Sequence, residues 1–233
     1  NAMIKKIINT IERNKISSVE VADAFNKTGV IDNIKAFNSG HFVVGKVHYV
    51  CTYDESNWPL HEQIRDFEED VILYVDSFNC QNRAVFGDIV SKYLYLYKRV
   101  KGIIVNGLIR DAHRIRKENY PLWCLGVTPL GCFNKEVQIT KEIENYISTQ
   151  KKYFQGSIAV CDDSGCTIIP KEKCTEEGLE KLEFIELQED IWYFCLDTLK
   201  WDTYTTICKK EYLKNKDILP KHLQDKISKY TLD

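Results

Sequence analysis

The sequence lacks any apolar run approaching the roughly 20 residues that cross a bilayer. It also lacks the charged, apolar and cleavage-site pattern of a secretory leader. Neither sign of charge dominates. The 32 Lys and Arg are matched by 34 Asp and Glu, for a formal net charge of −2. Bulk electrostatics therefore give no reason to expect direct nucleic-acid binding. Nine cysteines are present, yet no C-x-x-C pair occurs. An odd count at irregular spacing fits neither a disulfide framework nor a zinc pattern. The thiols read as reduced and mostly buried small apolar groups, and a cytoplasmic location is expected. No internal repeat or low-complexity linker is visible. With 233 residues, 44% hydrophobic and 28% charged, the chain is long enough for one large domain, or one domain plus an extension.

Asn1-Ala2 ahead of Met3 read as a tag remnant, and residues 4–14 as a helical arm. Ser17-Ser18-Val19-Glu20 spells a capping box for a short amphipathic helix, with Gly29 at its C-cap. Residues 41–52, HFVVGKVHYVCT, read as a strand interrupted by glycine, and 60–70 have helical spacing. VILYV at 71–75 has the continuous apolar character of a strand covered on both faces. After Gly87-Asp88, the residues Val90, Tyr93, Leu94, Tyr97 and Val100 share one helical face. GIIV at 102–105 reads as strand, 111–119 as a polar helix, and PLWCLGV at 121–127 as strand again. This alternation argues for an α/β core. Further on, TKEIENYISTQKKYF reads as a polar helix, and residues 157–169 spell a hairpin around Asp162-Asp163-Ser164-Gly165. A long helix begins at Thr175, and Pro220 opens a short final one in a Lys-rich tail.

The stretch VNGLIRDAHR at 105–114 runs from a buried strand into adjacent opposite charges, Arg110 and Asp111. In an α/β sheet, ligands gather beyond the carboxyl ends of strands, near helix N-termini. The free amides after Gly87 suit a carboxylate or phosphate, and Arg110 suits a two-pronged grip on the same anion. Asp111 suits a hard divalent cation such as Mg²⁺ or Mn²⁺. The simpler alternative is that Arg110 and Asp111 pair with each other or cap the next helix. His113 sits beside this pair, and a helix-surface role is its plainer reading.

FGDIVSKYLYLYKRVKGIIVNGLIRD followed by PLWCLGVTP resembles the RraA family. That family includes class II 4-hydroxy-4-methyl-2-oxoglutarate aldolases and regulators that bind the RNA-degrading enzyme RNase E. VADAF resembles its early helix and GSIAVCDDSGCTIIP its late hairpin. The resemblance implies an α/β fold of the swivelling β/β/α three-layer type. It would span residues 15–197, with an arm over 1–14 and a helical extension over 198–233. It implies a ring-shaped homotrimer with the site at a subunit interface. By motif match, Gly87, Asp88, Ile89 and Val90 would bind substrate at the helix start. Arg110 would contact substrate, Asp111 would bind Mg²⁺ or Mn²⁺, and Asp88 would hold a water of that ion. Glu189 or Glu186 of a neighbouring subunit would supply a further acid. A small 2-oxo acid would then be cleaved by a metal-dependent lyase through a pyruvate enolate. Arg114 stands where active members carry an acid. A cation there would weaken metal binding or pair with Asp111. A non-catalytic regulator docking a protein partner such as a ribonuclease is the alternative that this departure leaves open.

Overall fold

A computed structural model describes residues 1–230. Its larger sheet has seven strands in the order β1-β7-β5-β3-β2-β9-β10. These are β1 (Lys35–Ala36), β2 (Val43–Tyr53), β3 (Val71–Phe78), β5 (Gly102–Asn106), β7 (Leu122–Cys124), β9 (Ile158–Asp162) and β10 (Gly165–Ile169). The central four, β7, β5, β3 and β2, are mutually parallel. Three of them continue, after a break, into a small parallel sheet of order β4-β6-β8. Its strands are β4 (Ala84–Phe86), β6 (Leu108–Ile109) and β8 (Gly126–Val127). The strand expected over 102–105 is thus the first half of one that changes sheets, and the single strand expected over 121–127 divides into β7 and β8. The jump from β5 to β6 occurs at Gly107, where an added Cβ would stand 3.0 Å from Ser77 Oγ. A side chain there would press on Ser77 of β3, so glycine suits this close approach.

Helices cover both faces of the larger sheet. One core layer joins β3 and β5 to α3 (Trp58–Gln63), α4 (Asp88–Leu96) and α5 (Ala112–Glu118). The opposite layer joins Tyr49, Tyr74 and Trp123 to α6 (Lys141–Phe154), the polar helix anticipated from TKEIENYISTQKKYF. The helical face read over 90–100 forms only in part. Val90, Leu94 and Tyr93 pack on the core, but α4 ends at Leu96, so Tyr97 is its exposed C-cap and Val100 lies beyond it. Tyr95 packs on the core from outside that face. The hairpin forms with Asp163 and Ser164 at its tip, and Asp162 Oδ1 accepts from the Ser164 amide at 3.0 Å.

Two expected boundaries shift. Helix α2 (Ser18–Ala24) keeps its capping box at Ser17 and Glu20, but ends with Phe25 as its C-cap. Gly29 lies beyond it at φ +89°, where an added Cβ would overlap the Ile168 carbonyl oxygen. Its glycine serves a close approach to β10. The helical spacing over 60–70 yields only α3, which ends at Gln63.

The N-terminal helix α1 (Ala2–Asn14) is capped by Asn1, whose side chain accepts from the Met3 amide at 2.8 Å. Its Ile7 and Ile11 are fully buried with Val21, Val44 and Leu179. The long helix α7 (Glu176–Asp197) enters the same cluster with its first turns. Its last turns anchor a separate apolar cluster with Tyr212, Leu219, Leu223 and Ile227. The final helix α8 (Lys221–Ile227) follows Pro220 as the sequence indicates. No helix among the described residues is long and apolar enough to cross a membrane. Ile11→Ala is expected to cost about 2–5 kcal/mol through the cavity it leaves. A lowered urea midpoint checks this, and an unchanged midpoint would reduce α1 to a dispensable arm.

Candidate active site

The strand order β4-β6-β8 sets three strand ends side by side. Phe86 leads through Gly87 into α4, Ile109 leads through Arg110 and Asp111 into α5, and Val127 leads to Thr128-Pro129. β6 is the middle strand, so Arg110 and Asp111 stand between the other two junctions. Backbone bonds lock this spacing: Arg110 N–H donates to Phe86 O at 3.1 Å, and Thr128 N–H to Ile109 O at 3.0 Å.

Asp111 has a left-handed backbone, φ 58° and ψ 40°. It occupies the N-cap position of α5, yet its side chain accepts nothing from that helix. Its Oδ2 instead accepts from the Asp88 amide at 3.0 Å, capping the neighbouring helix α4. The sequence alternative in which Asp111 caps the next helix is therefore not what forms. Left-handed geometry in a non-glycine residue costs on the order of 1–3 kcal/mol, and it collects at functional sites. A charged hydrogen bond to a helix-terminal amide is worth about 1.5–3 kcal/mol, which offsets much of that cost.

Gly87 makes this turn possible. A Cβ there would overlap Asp111 Oδ2 and lie 2.8 Å from Arg110 Cγ. The carboxylate and the arginine stem occupy the volume that any other residue would fill. The Arg110 guanidinium continues along Gly131, where an added Cβ would be 2.9 Å from Nη1. That loop is fastened to β4. Ala84 N–H donates to Leu130 O at 2.7 Å, Cys132 N–H to Ala84 O at 3.0 Å, and Arg83 Nη1 to Gly131 O at 2.9 Å. Arg110 itself is exposed and makes no ion pair among the described residues. It opens onto a cavity of about 430 Å³ lined by residues 110–113 and 127–129.

A model of the RraA-like family, described as Aldolase/RraA, matches residues 18–168. The chain belongs to this family. It is 26% identical over 159 residues to a protein of Halalkalibacterium halodurans, covering 65% of this chain and 71% of that one. That relative bears the name "Putative 4-hydroxy-4-methyl-2-oxoglutarate aldolase". It is 24% identical over 183 residues to DlpA of Legionella pneumophila, covering 75% of this chain but only 29% of DlpA. Among solved structures, RraAS2 of Streptomyces coelicolor superposes with a TM-score of 0.60 at 21% identity, covering 79% of this chain and 95% of that one. RraAS2 is described as an unusual member of the RNase ES inhibitor RraA protein family. An RraA described as an RNA-processing inhibitor from Thermus superposes with a TM-score of 0.51 at 19% identity, over 66% of this chain and 92% of that one. The fold is thus the RraA-like α/β fold that the sequence resemblance implied.

Within this RraA-like frame, Gly87, Asp88, Arg110 and Asp111 come together. Ile89 is 80% exposed beside them, whereas the Val90 side chain turns into the core at 9% exposure. Val90 is thus free to meet a ligand only through its amide. Glu189 stands on α7 beside Glu20, and burial together with Glu20 holds it above the usual carboxylate range. It does not line the Arg110 cavity of its own chain. Arg114 is exposed and forms no ion pair with Asp111 among the described residues. Its amide donates to the Asp111 carbonyl as part of the helix.

Val127, Thr128, Pro129 and Gly131 complete the site and lie outside the sequence-derived set. So does Asp76, fully buried behind it. Its carboxylate accepts from Tyr49 Oη at 2.7 Å, Asn106 Nδ2 at 2.9 Å and Tyr146 Oη at 3.1 Å. It therefore clamps the last residue before the Gly107 jump. Burial and the Asp76 carboxylate push the nearby Cys51 thiol up to about 12, which rules out a thiolate nucleophile there at neutral pH.

Among the described residues no group of three or more His, Cys, Asp or Glu side chains is placed to cage an ion. The donor set nonetheless fits a hydrated divalent ion, because Asp111 Oδ2 is anchored while Oδ1 has no hydrogen-bond partner among the described residues. Mg²⁺ characteristically binds through one or two carboxylates and keeps several waters. Gly87→Ala is expected to displace the Asp111 carboxylate and cost about 1–3 kcal/mol. The Asp88 amide resonance should move in that variant, and an unmoved resonance would refute the cradle.

Proposed function

We propose that this RraA-like chain is a divalent-metal-dependent lyase, an aldolase or decarboxylase, that cleaves a small 2-oxo acid through a pyruvate enolate. The observation that carries the reading is the anchored Asp111 carboxylate beside the Arg110 guanidinium, which has no ion-pair partner among the described residues, at the mouth of an open cavity. Relatives named as aldolases support it.

Arg110 supplies a planar fork for the substrate carboxylate. The Ile89 and Val90 amides, in the first turn of α4, have no intrahelical acceptor and point the same way for an anion. Asp111 would hold Mg²⁺ or Mn²⁺, which supplies Lewis-acid stabilisation of negative charge on an enolate. Asp88, half-buried on the first turn of α4, would hold a water through its carboxylate and relay a proton at that point. Glu189 of a neighbouring subunit would act as an acid, and its raised protonation range suits proton donation.

We further infer a homotrimer in the cytoplasm. Leu125, Val127, Leu130 and Phe133 are exposed apolar side chains on the segment that leads from β7 past the cavity, and Val127 lines the cavity itself, which suits a subunit interface. Nine unpaired cysteines suit a reducing compartment. The second reading is a non-catalytic regulator that docks a protein partner such as a ribonuclease. It is favoured by the exposed Arg114 at the position of the family's acid and by the inhibitor descriptions of the structural neighbours.

Pyruvate release from a panel of 2-oxo acids, with and without Mg²⁺, tests the lyase. Release should require Mg²⁺, and Arg110→Ala should lower it on the order of a hundredfold or more while the fold is kept. Absence of release from every 2-oxo acid would favour the regulator. Light scattering should give three times the chain mass, and a monomer at micromolar concentration would remove the shared site.

A further inference from the structure

The cavity beside Arg110 holds more than the corner that the lyase reading uses. Ala112, Val127 and Pro129 give it apolar wall, and the groups able to act on a ligand are Arg110, Asp111, His113 and Thr128. Their capacities differ. A guanidinium keeps its proton in proteins and can only donate. The Asp111 carboxylate accepts from the Asp88 amide at 3.0 Å through Oδ2, and in the lyase reading its other oxygen goes to the cation. Thr128 Oγ1 accepts from the Leu130 amide at 3.3 Å, which leaves its hydroxyl proton to donate to a ligand. His113 stands two residues beyond Asp111, on the first turn of α5. It is exposed, and its ring makes no hydrogen bond or ion pair among the described residues, so both ring nitrogens are left for a ligand or water. Histidine is the side-chain type that takes and releases a proton near neutral pH. By this inventory His113 is the lining group suited to accept one.

We propose that His113 is a catalytic residue of this cavity, the base that takes the hydroxyl proton when a 4-hydroxy-2-oxo acid is cleaved. The inference rests on the lyase reading and extends it to the leaving portion of the substrate. A cavity of about 430 Å³ falls in the range that takes ligands larger than a three-carbon acid. With the 2-oxo acid end at Arg110 and Asp111, the remaining space is the part walled by His113, Val127 and Thr128.

An imidazole nitrogen takes the proton of the C4 hydroxyl. The O–H electron pair becomes the second bond of the new carbonyl, the C3–C4 bond breaks, and its electrons pass into the enolate. C3 then takes a proton from water, and the imidazolium returns its own to water, so none is gained or lost. The products are pyruvate and a carbonyl compound, with no change of oxidation state overall. A positioned base of this kind contributes about a hundredfold to ten-thousandfold in rate. Decarboxylation of oxaloacetate passes through the same enolate but has no hydroxyl proton to remove. His113 therefore divides two reactions that share Arg110 and Asp111.

The test follows pyruvate release by the full chain with Mg²⁺ from 4-hydroxy-2-oxoglutarate and from oxaloacetate. In His113→Gln the ratio of aldol cleavage to decarboxylation should fall on the order of a hundredfold. In His113→Ala, added imidazole should restore part of the aldol cleavage. Both are substitutions of an exposed side chain, which keep the fold. A readout without metal or turnover accompanies them. The His113 Cε1–H resonance, assigned by its loss in His113→Gln, should shift on addition of 2-oxoglutarate, which has no hydroxyl to lose. An unchanged ratio, failure of imidazole to rescue, or an unmoved resonance overturns the role of His113 while leaving the lyase in place. A wild type that releases pyruvate from neither substrate removes the lyase reading, and the base with it.

Discussion

The hydrogen bond from the Asp88 amide to Asp111 Oδ2 is the constraint on which the rest of the site depends. It joins two helix starts that come from different strands, and it does so across a residue with no side chain. Gly87 leaves the space, the left-handed backbone of Asp111 turns the carboxylate into it, and the same turn aims Arg110 outward along Gly131. One carboxylate oxygen is spent on anchoring and the other is left to a ligand. In the proposed reading a cation and an anion would share this one corner, which is the preorganisation that electrostatic catalysis requires.

The fold supplies that corner by moving parallel strands from one sheet to another. β3, β5 and β7 run through the covered interior, then pass to the small sheet, where their ends are open. Buried Asp76 fixes one of these transitions by accepting from Asn106, with Tyr49 and Tyr146 completing its shell. Left with too few donors, a buried carboxylate would be costly, and with these donors it pins the strand end from behind. The opposite wall, Gly131 and Cys132, is pinned beside β4 by backbone bonds to Ala84 and by the Arg83 guanidinium on the Gly131 carbonyl.

Much of this was legible in the sequence where the signal is local. Capping at Ser17, the hairpin at residues 157–169, the helix after Thr175 and the junctions at Gly87 and Arg110 all rest on neighbouring residues. The resemblance over FGDIVSKYLYLYKRVKGIIVNGLIRD then gave the family, and with it the fold. What escaped depends on contacts between distant segments. Nothing near Gly29 announces Ile168 as its neighbour, and nothing near Asp76 announces Tyr146. The partner of Asp111 is a backbone amide, a group that every residue but proline carries, so no residue type marks it. Val127, Thr128 and Pro129 were visible as a strand end, but their place in the site follows from the β4-β6-β8 order.

Arg114 is the residue on which the lyase and regulator readings divide. Its side chain does not pair with Asp111, so the carboxylate keeps an oxygen for a cation. Isothermal titration of Mn²⁺ into the wild type, Asp111→Ala and Arg114→Glu tests this most directly. The account predicts saturable binding to the wild type, its loss in Asp111→Ala, and tighter binding in Arg114→Glu, where a carboxylate replaces a nearby cation. Absence of binding in all three, or wild-type binding that survives Asp111→Ala, would contradict it.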